Sequence, residues 1–69
     1  MAPTRQREAV ALYNEGVEHH EAGRREEAAR CWRKAARLGL MQAQHNLGKC
    51  LRKGEGVRKD LVEAAEWWA

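Results

Sequence analysis

The chain repeats itself. Tyr13-Asn14-x-Gly16 returns as His45-Asn46-x-Gly48, and Ala28-Ala29-x-x-Trp32 returns as Ala64-Ala65-x-x-Trp68. The first signature is offset by 32 residues and the second by 36, so the later unit has four more residues between its two signatures. A period in the thirties marks arrays of supersecondary units, each too small to bury its apolar face alone. The units here are helical. Ala43, Leu47, Cys50 and Leu51 recur at spacings of three and four, which places them on one helical face.

The spacing predicts four helices joined by glycine-marked turns. The first runs from about Arg5 to Ala22, after Pro3 and with Thr4 as its cap. It carries two neighbouring stripes, Ala9, Leu12, Gly16 and His19, and beside them Val10, Tyr13, Val17 and His20. Gly23 ends it. The second helix runs from about Arg24 to Leu38, with Ala28, Trp32 and Ala35 on one face and Ala29 and Ala36 next to it. Gly39 is its C-cap. The third runs from about Met41 to Lys53 and stops at Gly54, a residue able to take the positive φ of a helix end. The segment from Gly54 to Lys59 is the longer turn. Asp60 to Ala69 is the fourth helix, with Asp60 and Glu63 as a variant capping box in which both carboxylates accept from first-turn N–H groups.

On these residues the chain resembles a known family. Ala43-Gln44-His45-Asn46-Leu47-Gly48, then Gly54-Glu55-Gly56-Val57, Asp60, Ala64 and Trp67-Trp68, look like a Sel1-like repeat. Ala9 to Leu40 looks like a Sel1-like repeat with the shorter turn of a tetratricopeptide repeat, through Asn14, Gly16, Gly23, Ala28, Trp32 and the run from Lys34 to Gly39. The resemblance implies an all-α fold, an α-solenoid of antiparallel helix–turn–helix units. It would be one domain over residues 1–69, with repeat one at about 5–39 and an incomplete repeat two at about 41–69. Glu15 stands where the family has a leucine and where repeat two has Leu47, which reads as an adaptation of a first repeat with no neighbour before it.

Composition narrows the classes. A chain of 69 residues is one small domain, and its 43% apolar content is largely alanine, with no Phe. Core material is thin, which suits close-packed helices built on small residues. The net charge is +3, yet Arg24 to Arg37 alone holds six basic residues against Glu26 and Glu27. That helix favours acidic partners or a solvated outer face. Cys31 and Cys50 are nineteen apart, without CxxC spacing and without the shorter cysteine interval of some secreted Sel1-like proteins, so free thiols in a reducing compartment are expected. No stretch approaches the length of a membrane span, and the N-terminus lacks the apolar core of a signal peptide. These features imply a soluble cytoplasmic protein with no membrane association.

Chemistry has little to work with. There is no serine, and Thr4 and Tyr13 are the sole hydroxyls. Gly54-x-Gly56 follows a helix rather than a strand and is too short for a dinucleotide fingerprint. His19, His20 and His45 lack metal-ligand spacing. We therefore expect no enzyme activity, no cofactor and no metal. The basic second helix, with Lys49, Arg52, Lys53, Arg58 and Lys59, raises nucleic-acid binding as an alternative, against which stand the acidic residues of the first helix and the lack of a reading module.

The reading the sequence favours is a non-enzymatic interaction module, a scaffold or adaptor. Helical repeats present the inner faces of their first helices as a groove. The resemblance places Val10, Tyr13, Val17 and His20 on that surface in repeat one, and Gln42, His45, Lys49, Arg52 and Lys53 in repeat two. Such a groove is apolar at one end and basic at the other, fitting a protein or peptide segment with a hydrophobic anchor and acidic residues. The last helix ends soon after Trp67 and Trp68, so this end is also a candidate for self-association with a second copy.

Overall fold

The computed structural model describes residues 2–68, with side chains from Arg5 onward. Four helices account for the architecture: α1 (Ala2–Glu21), α2 (Arg25–Arg37), α3 (Met41–Lys53) and α4 (Leu61–Trp68). No strand occurs among the described residues. Each helix packs on the next, α1 on α2, α2 on α3 and α3 on α4, giving a slab of 33 × 29 × 12 Å. This is an all-α array of two helix–turn–helix repeats.

Two boundaries differ from expectation. Helix α1 starts at Ala2, upstream of Arg5, so Thr4 lies inside the helix instead of capping it, and its side chain is outside the described residues. Pro3 fits there because the first-turn N–H groups have no intrahelical acceptor to lose. Helix α4 begins at Leu61, and Ala69 lies outside the described residues. Asp60 is the N-cap as expected, its Oδ1 accepting from the Glu63 N–H at 2.9 Å. Glu63 does not complete the box: its carboxylate turns away to other partners.

The turns explain the two different offsets. After α1 and α2 the chain closes with paired backbone bonds. Arg24 N–H reaches the His19 carbonyl (2.8 Å) and Leu40 N–H reaches the Ala35 carbonyl (3.2 Å), which is the Schellman arrangement and lets the next helix start at once. After α3 only half of this pattern forms. Glu55 N–H reaches the Cys50 carbonyl at 3.0 Å, but the Leu51 carbonyl is taken by the N–H of Asp60 at 2.8 Å. The six residues from Gly54 to Lys59 thus form a loop tied at both ends. Its centre, Gly56 at φ +72°, lies so close to the Arg25 carbonyl that a side chain there would meet it. The longer turn therefore reaches back to the start of α2 and joins the two repeats.

The core is made of small residues around a few large ones. Ala9, Ala28, Ala35, Ala36, Ala43 and Ala64 are buried with Trp32, Leu47, Cys50 and Leu51. Leu47 is fully enclosed, whereas its counterpart Glu15 is exposed. Within each repeat, a tryptophan of the second helix lies on a glycine of the first. A Cβ added at Gly16 would come within 2.6 Å of Trp32 Cδ1, and one at Gly48 within 2.6 Å of Trp68 Cε2. Trp32 is buried, but Trp68 is 42% exposed.

That difference predicts unequal responses to the same substitution. Alanine improves helix propensity by about 1 kcal/mol over glycine. At Gly16 overpacking against a trapped indole outweighs this, for a net loss of about 1–2 kcal/mol. At Gly48 the indole yields, and the net change is within about 0.5 kcal/mol of zero. Urea unfolding of Gly16→Ala and Gly48→Ala measures both, and equal losses would contradict the account.

Candidate functional site

Trp32 sits at the junction of the repeats. Its Nε1–H donates to the Tyr13 carbonyl (3.2 Å), and the His20 ring lies 5.6 Å away, tilted by 40°. Its other flank faces α3. Between the repeats lies a hollow of about 250 Å³ walled by His20, Trp32, Asn46 and Cys50, with Lys49, Lys53 and Glu55 at its margin. Of the residues expected in a groove, the fold gathers His20, Lys49 and Lys53 here.

The others go elsewhere. Tyr13 and Val17 are half-buried against the core, where they support Trp32 more than they face solvent. Val10 lines a different hollow, with Gln6, Ala9 and the α2–α3 turn at Leu38–Leu40. Gln42 is exposed on α3. His45 and Arg52 form a second cluster around Trp68. The His45 carbonyl accepts from Trp68 Nε1–H at 3.4 Å, its ring lies 6.1 Å from the indole, and the Arg52 guanidinium sits 5.4 Å from the indole centroid. Arg52 and His20 occupy equivalent positions 32 residues apart, so each repeat presents a cationic or ionisable group against its own tryptophan.

Sequence reasoning missed Trp32, Asn46, Cys50 and Glu55 as walls of the hollow. The repeat alignment held the signal for Trp32, since a residue seated on the first helix is also reachable from the next repeat. Cys50 is buried, and its thiol is pushed up by desolvation and then by Glu55, with Lys49 and Lys53 opposing. A buried thiol presents a small apolar surface to the hollow. Both cysteines are free. Among the described residues no three of His, Cys, Asp and Glu gather as a metal-holding cluster.

One ionic contact links the second helices of the two repeats. Arg33 Nη1 of α2 donates to Glu63 Oε2 of α4 at 2.7 Å, and Trp67 Nε1–H donates to the same oxygen at 3.1 Å. It is the one salt bridge among the described residues.

The comparisons with known proteins follow this geometry. The Sel1 repeat model matches residues 9–40 and 42–69. The chain belongs to the Sel1 repeat family. Sel1 repeats are in general protein-interaction modules. Among solved structures, a Sel1 repeat protein from Oxalobacter formigenes is similar over 99% of this chain, with 34% identity and a TM-score of 0.79. The present chain spans 30% of the length of that structure. A search of curated proteins finds no match. The two family-matched segments coincide with the two structural repeats, the division falling at the α2–α3 turn. No helix among the described residues is long and apolar enough to cross a membrane.

The shared acceptor on Glu63 gives a pH-dependent prediction. Hydrogen bonds from Arg33 and then Trp67 hold the Glu63 carboxyl below its ordinary value of 4.5. A depressed folded value stabilises fully above the unfolded value and is lost as the pH falls through the folded one. Glu63→Gln is thus expected to cost about 0.5–1 kcal/mol at neutral pH, the scale of a partly exposed pair. The variant should also lose less stability than the parent on acidification below about pH 5. Thermal unfolding of both from pH 7 to pH 3 checks this, and parallel curves would count against the contact.

Proposed function

We propose that this Sel1 repeat chain is a non-enzymatic interaction module that takes an acidic peptide segment of a partner protein at the hollow between its repeats. The observation that carries this reading is the pairing of an aromatic wall with Lys49 and Lys53. Neither lysine is engaged in a salt bridge among the described residues. Trp32 and the Cys50 thiol offer an apolar contact, and Asn46 adds a polar group. The lysines supply charge at the rim, where long flexible ammonium groups meet carboxylates without full desolvation. Glu55 at the same margin selects the register by repelling an acidic group placed on its side. Arg52, 5.4 Å from the Trp68 centroid, extends the basic surface along α3.

A fluorescein-labelled peptide with one leucine followed by four glutamates is the probe, read by polarisation at low ionic strength. Binding is expected, weakened at least about tenfold by Lys49→Glu with Lys53→Glu and reduced by added salt. The exposed position of both lysines keeps these variants folded. An affinity unchanged by the double substitution would remove the hollow from consideration. Random duplex DNA in the same assay tests the nucleic-acid alternative, for which no saturable binding is expected.

A further inference from the structure

Among the side chains that line the hollow, His20 is of the type that changes its charge near neutral pH. Its ring is exposed to solvent and lies 5.6 Å from the Trp32 ring, tilted by 40°. The equivalent position 32 residues later is Arg52, whose guanidinium sits 5.4 Å from the Trp68 centroid. A cation within about 6 Å of an indole is attracted by the electron-rich face of the ring. The second repeat thus fills this position with a permanent cation, and the first with a side chain that becomes one on protonation.

The neighbours of His20 decide what that charge does. Helix α2 meets it with Trp32, which carries no charge. Helix α3 brings Lys49, Lys53 and the Cys50 thiol, and the turn after α3 brings Glu55. On its own helix the adjacent titratable residues are His19 and Glu21, and the Nδ1 of His19 accepts from Arg24 Nε–H at 2.9 Å. Lysine and glutamate side chains keep their charges between about pH 5.5 and pH 7.5, where imidazole gains one. Burial pushes the Cys50 thiol up, away from this window. Without a ligand, two ammonium groups oppose a third cation beside them and Glu55 favours it. An acidic segment at the rim tips this balance, because several carboxylates then face the imidazole and both lysines together. A ligand that favours the protonated state draws a proton in with it, and by linkage it binds more tightly where that state is populated.

Building on the acidic-peptide reading of the hollow, we propose that His20 is its third cationic ligand and makes uptake of the acidic segment proton-linked. The sign follows from the charges. Protonated His20 attracts the incoming carboxylates, so the added affinity is present at low pH and is lost as the pH rises through the imidazole range. The glutamates of the ligand, with an ordinary value of about 4.3, stay ionised down to about pH 5.5 and do not mask the effect.

Isothermal titration calorimetry with the leucine–glutamate peptide, unlabelled and at fixed low ionic strength, tests this between about pH 7.5 and pH 5.5. Affinity is expected to rise at least about threefold as the pH falls. Titrations near pH 6.5 in buffers of different ionisation enthalpy should show a fraction of one proton taken up per peptide bound. His20→Gln is expected to flatten the profile and abolish the uptake, while His19→Gln and His45→Gln keep both. His20 is exposed, so its variant keeps its helix content by circular dichroism. Binding of constant affinity across the range overturns the role of His20 and leaves the acidic-peptide reading standing. A profile that survives His20→Gln does the same. Loss of the profile in the His19 and His45 variants as well also overturns it, since the effect would then not be local to His20. Absence of binding at every pH overturns the acidic-peptide reading, and the role of His20 with it.

Discussion

The structure depends on an indole lying on a glycine. Trp32 and Trp68 are two of the three tryptophans of a chain whose core is otherwise mostly alanine, and each lies close on its partner helix. Glycine at 16 and 48 removes the Cβ that would block this approach. The same closeness brings the indole N–H to a main-chain carbonyl three residues before the glycine, Tyr13 in one repeat and His45 in the other. Those carbonyls already serve the helix, but each has a second lone pair to offer. One contact thus provides apolar burial, satisfies a polar group and sets the angle between the two helices of a repeat.

The joint between repeats adds backbone and ionic contacts to the apolar packing of α2 on α3. The Gly54–Lys59 loop reaches α2 because Gly56 has no side chain, and the Asp60 N–H is held by the Leu51 carbonyl. The Arg33–Glu63 pair then links the two second helices, with Trp67 sharing the carboxylate. Because Glu63 is committed to that joint, it is unavailable to the α4 cap, and Asp60 serves alone. The hollow beside Trp32 is a by-product of this arrangement, lined from α3 by Asn46, Lys49, Cys50 and Lys53.

Much of this was legible in the residues. The double signature predicted two helix pairs, and the Met41–Lys53 helix was placed to the residue. Of the residues expected on the inner surface, His20, Lys49 and Lys53 line one hollow and Val10 another, while Tyr13 and Val17 pack against the core. A helical stripe defines a direction around an axis, and whether that direction opens to solvent depends on how much the neighbouring helix can cover.

The sequence by itself determined the repeat, the helices and the glycine turns, because these follow from local spacing and from residues within one helix pair. Tertiary structure decided the rest. It chose Arg33 as the partner of Glu63 across thirty residues, where no local pattern links them. It also gave the two tryptophans different surroundings. Trp32 and Trp68 carry the same local signature, yet the first is enclosed by the helix that comes after it and the second remains 42% exposed. The number of packed neighbours, and not the identity of the residue, makes that difference.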